Sequence, residues 1–323
     1  MMNISVVVPK MPVMEALTPA YRLFTSANQF LQMQGKTPKF QVEFVGENMI
    51  TKAQEGEYSV TAHRTFDDVK NTDVIIIPAL FNDVQTAVEV NNQAIAWIQK
   101  MYQGGSEVAS LCTGAFLLAE TGLVDHKKCS THWAYYDLFT HLYKKVDLVD
   151  GKIITDEKGI YSSGGALSIW NLLLYLLEKY TDRATAILAA KFFAVDIDRS
   201  DQGMFTVFNG QKDHADNDIL KCQSLIEEKF NEQLSIGQLA NYVTMHRRTF
   251  ERRFKNATNN TVVEYIQRVR IEAAKRKFES TNNNVSEVMM DVGYSDTKSF
   301  RNIFKRYTGL TPLEYRRKYG KVG

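Results

Sequence analysis

Hydrophobic positions fall into two regimes along this chain. In the first two hundred residues they include short continuous runs, whereas in the last hundred they recur every three or four positions. Ile4–Val8, Val42–Val45 and Val74–Pro78 are short runs rich in β-branched side chains, the composition of strands buried on both faces. Between and after them, Ala20–Gln34, Asn91–Tyr102, Ala115–Thr121 and Trp170–Lys179 carry helical spacing. Strands alternating with helices predict a layered α/β domain with a mostly parallel sheet. From about Asp182 the strand signal fades. Gln211–Asp218 is polar and aperiodic, the best candidate for a linker. Everything after it reads as helix, over 216–231, 235–243, 246–257, 261–280, 285–292, 297–308 and 311–319. The domain division predicted is 1–195, a linker at 196–220, and 221–323.

The helical part is well punctuated. Ser235-x-x-Gln238, Asn284-x-x-Glu287 and Thr311-x-x-Glu314 are capping boxes, in which a side-chain oxygen satisfies a free N–H and the Glu or Gln reaches back. Pro312 suits a first helical position and Gly293 a left-handed helix end. A repeat is superimposed on this pattern. Phe250 and Phe254 map onto Phe300 and Phe304 at an offset of 50, each pair within a short helix, turn and second helix with a basic outer face. Two such units predict two helices entering successive major grooves of DNA, with helix 261–280 as the spacer.

Charge sharpens the division. The net charge is +2, yet residues 221–323 carry 20 Lys and Arg against 11 Asp and Glu, a surplus of nine. The remaining residues carry 19 against 26, a deficit of seven. A polyanion partner is therefore expected for the C-terminal part alone. Hydrophobic residues at 44% and charged residues at 24% fit a globular protein with a sizeable core. Cys112, Cys129 and Cys222 are widely spaced and form no CxxC pair, which argues against a disulfide framework or zinc site and fits a reducing cytosol. The most apolar segment, Ala166–Leu177, is interrupted by Ser168 and Asn171 and is too short to span a bilayer. No metal, cofactor or membrane partner is expected.

On helix 246–257, Phe250, Phe254 and Ala257 form the core stripe, and Arg248 and Arg252 face away, suited to guanine edges or phosphates. On helix 297–308, Phe300, Phe304 and Tyr307 form the core stripe, with Thr297, Lys298, Arg301 and Asn302 outside. Lys255, Lys305 and Arg306 suit phosphate contacts. From about Cys222 to Tyr319 the chain resembles the DNA-binding domain of AraC-family transcription regulators. The resemblance rests on Leu239-Ala240, Met245, Arg248-x-Phe250-x-Arg252-Arg253-Phe254, and on Val292-Gly293-Tyr294-Ser295-Asp296 leading to Phe304-Lys305-Arg306-Tyr307-Thr308-Gly309-x-Thr311-Pro312. It implies DNA contacts from His246, Arg247, Arg248, Glu251, Arg252 and Lys255, and from Thr297, Lys298, Ser299, Arg301, Asn302, Lys305 and Arg306. His246 replaces a usual capping serine, and Met289 a usual small alanine.

In the N-terminal part, Val108–Ala119 reads as strand, sharp turn and helix with Cys112 at the turn, the layout of a nucleophile elbow. A small buried residue at a tight turn is the plain alternative. Residues from about Ile4 to Lys191 resemble the DJ-1/PfpI group of the class I glutamine amidotransferase-like fold. The matching pieces are Val74–Pro78, the Cys112 elbow with Leu118–Val124, Thr131-His132-Trp133, and Tyr161-Ser162-Ser163-Gly164-Gly165. The resemblance implies a flavodoxin-like sandwich, a ligand pocket including Glu15, Cys112, Thr113 and His132, and Glu15 as the acid beside the cysteine. Thr113 stands where peptidase-like members have His, and no His–Glu pair follows at amidotransferase spacing. A thiol nucleophile needs an oriented base, so no catalytic residue is assigned and Cys112 is only a candidate nucleophile.

The expectation is a cytoplasmic, nucleoid-associated bacterial regulator without enzymatic activity. Its partners would be promoter DNA, RNA polymerase, a second copy of itself and a small effector, for which the resemblance suggests an amino acid or quaternary amine. Trp133 and Trp170 offer faces for a cation, though core packing is the commoner role. The competing readings are a DJ-1/PfpI-type cysteine hydrolase or lyase, and a thiol redox sensor acting through Cys112.

Overall fold

The computed structural model describes residues 1–53, 56–197, 202–212 and 214–320, and these divide into two units between Gln202 and Gly203. Of the predicted linker, residues 198–201 and Asp213 lie outside the described residues.

The first unit begins β1 (Met2–Val8), α1 (Met14–Met33) and β2 (Phe40–Gly46). Short strands β3 (Ile50–Ala53), β4 (Tyr58–Thr61) and β5 (Arg64–Thr65) precede β6 (Val74–Ile77). Then come α2 (Val84–Glu89), α3 (Asn92–Gln103), β7 (Glu107–Leu111) and α4 (Ala115–Glu120). The remainder is β8 (Lys128–Cys129), α5 (Tyr136–Leu142), β9 (Asp147–Leu148), β10 (Ile154–Asp156), β11 (Ile160–Ser163), α6 (Ile169–Tyr180) and α7 (Arg183–Phe192). Seven strands form one sheet in the order β10-β11-β7-β6-β1-β2-β5, parallel except for β10.

Strand periodicity explains the two-sided core. Val74 and Ile76 join the apolar cluster under α1 and α6, while Ile75 and Ile77 join the opposite cluster with α3 and α4. Both faces are covered, so the runs read as continuously hydrophobic rather than alternating. α1 starts six residues earlier than the sequence pattern suggested. Pro19 lies inside it, where its missing N–H leaves only the carbonyl of Glu15 without its helical partner.

The second unit is helical: α8 (Asn217–Glu228), α9 (Ile236–Tyr242), α10 (Arg247–Thr258), α11 (Val262–Ser280), α12 (Val285–Asp291), α13 (Thr297–Thr308) and α14 (Pro312–Tyr319). The three predicted capping boxes form, and Thr261 with Glu264 makes a fourth at α11. Two apolar cores result. Phe250, Phe254 and Leu239 pack in one, and Phe300, Phe304 and Val288 in the other. α11 serves both, giving Val262, Tyr265 and Ile266 to the first and Ile271, Ala274 and Phe278 to the second.

A basic helical face and a cysteine elbow

α9 and α10 are joined through 243–246, with Thr244 in the left-handed region at φ 55°. α12 and α13 are joined through 292–296, with Gly293 at φ 84°. The second turn is one residue longer. Phe250 to Phe300 is an offset of 50, whereas Ala240 and Met289, whose carbonyls each accept the bond that closes the turn, are 49 apart. Both turns end by presenting a helix with an apolar inner stripe, Phe250 and Phe254 in α10, Phe300 and Phe304 in α13, all fully buried.

The opposite stripes are open. Arg248, Arg252 and Lys255 of α10 are exposed, as are Thr297, Lys298, Arg301, Asn302, Lys305 and Arg306 of α13. Ser299 is half-buried, and its backbone N–H donates to the Asp296 carboxylate at 2.6 Å. His246, exposed, occupies the N-cap of α10 without any side-chain capping bond, so the serine-to-histidine departure leaves the orphan N–H groups of that helix uncapped by this residue. Arg247 reaches along the helix to Glu251, 3.3 Å from Nε to the carboxylate. Arg306 lies 4.0 Å from Glu264 and over the Tyr307 ring. Arg253 is different: it turns away from the open stripe and forks onto Asp216.

In the first unit, β7 delivers the chain to Cys112 at the carboxyl edge of the sheet, where open α/β folds place their ligands. Cys112 has φ 55°, the left-handed strain of a nucleophile elbow. The turn closes because residue 114 is glycine; a Cβ there would lie 2.5 Å from the Pro78 carbonyl oxygen and 2.7 Å from that of Ile77. The Thr113 hydroxyl accepts from the Leu80 N–H at 2.9 Å and donates to the Leu80 carbonyl at 3.1 Å, tying the elbow to the loop after β6. The Thr131 hydroxyl donates to the Cys112 carbonyl at 3.1 Å. Cys112 is buried, 6% exposed, and burial pushes its thiol pKa up to about 11 against weaker opposing hydrogen bonds from Thr113.

The other predicted pocket residues are placed unequally. His132 follows Thr131 and is half-buried, its Nδ1 accepting from the Ala134 N–H at 3.2 Å and its pKa lowered by burial. That bond leaves Nε2 as the protonated nitrogen of a neutral ring. Glu15 is exposed in the first turn of α1, and no hydrogen bond joins it to Cys112. Two residues near the elbow were not among the predicted pocket residues, one of them, Ser163, seen only as part of a motif. Ser163 sits in register with Leu111, immediately before the elbow, and its buried hydroxyl has no hydrogen-bond partner among the described residues. Gln202 is buried with Nε2 near the Thr131 carbonyl, 3.1 Å, and the Tyr136 hydroxyl, 2.7 Å. The glycine pair after Ser163 was a signal for this closeness: a Cβ on Gly164 would collide with Gln202. Among the described residues no group of three or more His, Cys, Asp or Glu is arranged to hold a metal, and no helix is long and apolar enough to cross a membrane.

Comparison with known families fits both halves. The DJ-1/PfpI family model matches residues 6–179, just over half of the chain. The chain belongs to the DJ-1/PfpI family. A helix-turn-helix domain model matches residues 239–318. ArgR, an HTH-type transcriptional regulator of Pseudomonas aeruginosa, is 23% identical over 222 residues, 68% of this chain and 67% of its own. CdhR, another HTH-type transcriptional regulator of that organism, is 22% identical over 259 residues, 80% and 76% of the two chains. GbdR is 23% identical over 228 residues, and this chain spans 62% of that relative's length. An AraC family transcriptional regulator from Pseudomonas putida shares the fold with a TM-score of 0.51 at 14% identity over 60% of this chain and all of its own. Drosophila melanogaster DJ-1beta does so with a TM-score of 0.51 at 16% identity over 60% and 98%. At family level this DJ-1/PfpI protein is therefore an AraC-like, DNA-binding transcriptional regulator.

Proposed function

We propose that this DJ-1/PfpI protein is a ligand-responsive regulator that reads promoter DNA with α10 and α13 and binds a small metabolite, without turning it over, at the Cys112 elbow. The observation that carries the DNA half is the pair of open basic stripes at corresponding positions of α10 and α13, held by one helix, α11, whose side chains belong to both cores. Arg248 and Arg252 suit guanine edges, Asn302 suits adenine, and Lys255 and Lys305 suit phosphates. A non-catalytic elbow is supported by a thiol that burial keeps protonated at neutral pH, and by an acid, Glu15, that does not bond to it. The unpartnered Ser163 hydroxyl supports a polar ligand beside the elbow. A homodimer engaging paired half-sites is in keeping with the contact area that specific affinity requires, and RNA polymerase would be its partner at a promoter.

The deciding experiment is selection of binding sites from random duplexes by the full-length protein, followed by footprinting. The expected result is a defined motif protected over two major grooves about 34 Å apart on one face, with binding that falls steeply as salt rises. Arg252→Ala is expected to cost roughly 1–3 kcal/mol and relax preference at one base position. Protection of a single groove per subunit would remove α13 from the reading surface.

A further inference from the structure

Within the predicted linker 196–220, the described residues 205–212 and 214–216 form a strap bound to the rest of the second unit. Lys275 donates to the Thr206 carbonyl, and the Phe208 N–H donates to Glu272 at 3.2 Å. The Phe208 ring packs on Tyr265 with centroids 5.2 Å apart. The Gln211 carbonyl accepts from Gln223 at 2.6 Å, and its side-chain oxygen accepts from Asn260 at 3.1 Å. The strap ends at Asp216, which N-caps α8 by accepting from the Ile219 N–H at 3.3 Å.

At that end it meets α10. Arg253 Nε lies 2.9 Å and Nη2 2.6 Å from the two oxygens of Asp216, a bidentate fork, and Nη2 also lies 3.2 Å from Asp218. The fork holds the Asp216 carboxyl below its ordinary range. At about 100° per residue, Arg253 lies roughly 140° around the helix from Arg248, too far to enter the same groove. It is thus a cation on the reading helix that is committed to the protein and not to DNA.

We propose that Arg253 is a positioning residue for DNA recognition: by clamping α10 to Asp216, it fixes the reading helix against the start of α8 and the end of the strap. This rests on α10 being a reading helix. A carboxylate–guanidinium fork constrains both distance and angle, which a single charge contact does not.

The test uses the full-length protein and its selected site, with R253A, R253K, D216A and R253A/D216A. R253A and D216A are each expected to weaken binding about tenfold, or about 1.4 kcal/mol, with the salt slope unchanged, because no phosphate contact is lost. Footprints should fade over the α10 groove while the α13 groove stays protected, which general unfolding would not produce. The double variant should be no worse than either single one. R253K should stay nearer to R253A than to the parent protein, since an ammonium cannot fork; it also carries the comparison if R253A does not fold. A salt slope reduced by about one would make Arg253 a phosphate contact and overturn the proposal, as would parent-like binding by R253A or additive losses in the double variant. If Arg252→Ala instead leaves the α10 footprint intact, it is the assignment of α10 as reader that fails.

Discussion

Alkylation of Cys112 tests whether the elbow is a sensor or a reaction centre. Its thiol has a pKa of about 11 in place of the ordinary 9.0, the cause being burial. Two pH units cut the thiolate fraction near neutral pH about a hundredfold relative to a free thiol, and Cys112 is only 6% exposed. Treating the native full-length protein with iodoacetamide from pH 7 to 10, with peptide mass mapping, should show Cys112 reacting at least about a hundredfold more slowly than a free cysteine peptide at pH 7.5. The rate should climb about tenfold per pH unit, as thiolate chemistry requires. Cys129 and Cys222 are also buried, with pKa values pushed up to about 12 and about 11, and act as internal references. The same shift has a stability counterpart. A folded pKa above the unfolded one means that the folded state holds the proton longer, so the contribution is complete below about pH 9 and is lost as pH rises through about 11, on the order of 2–3 kcal/mol. Modification of Cys112 at free-thiol rates near neutral pH, or a plateau below pH 8, would refute the buried-thiol reasoning and restore the hydrolase and redox readings.

Other substitutions separate the two units. Gly114→Ala drives a Cβ to within 2.5 Å of the Pro78 carbonyl and should destabilise the first unit by about 2 kcal/mol or more, whereas Phe254→Ala, fully buried in the second, should cost about 3–5 kcal/mol there. Calorimetry should show each variant lowering a different transition; a shift of both by either variant would mean that the units unfold as one. His246→Ser supplies the missing cap of α10 and should raise the stability of the second unit by roughly 0.5–1 kcal/mol, read as a higher midpoint in urea; an unchanged midpoint would show that other groups already satisfy those N–H groups.

Legibility in the sequence followed the range of the forces involved. Local signals held well. The Ser235, Asn284 and Thr311 boxes form because a cap and its partner are three residues apart and need no tertiary help. The aromatic stripes of α10 and α13 were visible because burial of Phe250, Phe254, Phe300 and Phe304 follows helical periodicity. The elbow was legible because strand, cysteine and helix lie within a dozen residues. Non-local arrangements were not legible. β11 reads as a motif, Tyr161-Ser162-Ser163, rather than as the strand beside β7, and only the register places Ser163 next to Leu111. The strap carries no hydrophobic period because polar bonds from Gln223, Asn260 and Arg253 hold much of it, and no local pattern announces such partners.

The spacing between α10 and α13 is itself built from such non-local contacts. α11 supplies side chains to both cores. Two further features act on the chain between α8 and α9. Arg270 of α11 donates to the carbonyls of Phe230 at 2.7 Å and Glu232 at 2.8 Å, with its guanidinium over the Tyr294 ring. Gly293, in the turn before α13, comes so close to that segment that a Cβ would lie 2.7 Å from the Asn231 carbonyl oxygen. The link that leads into α9 therefore rests on the turn that leads into α13. This explains why the two turns are not copies of one another. Thr244 is enough for a left-handed turn in open space, but the second turn needs both the left-handed backbone and the absence of a side chain, and only glycine provides the two together. The contacts of Arg270 and Gly293 with residues 230–232 thus add to the packing on α11 in tying the link before α9 to the turn before α13.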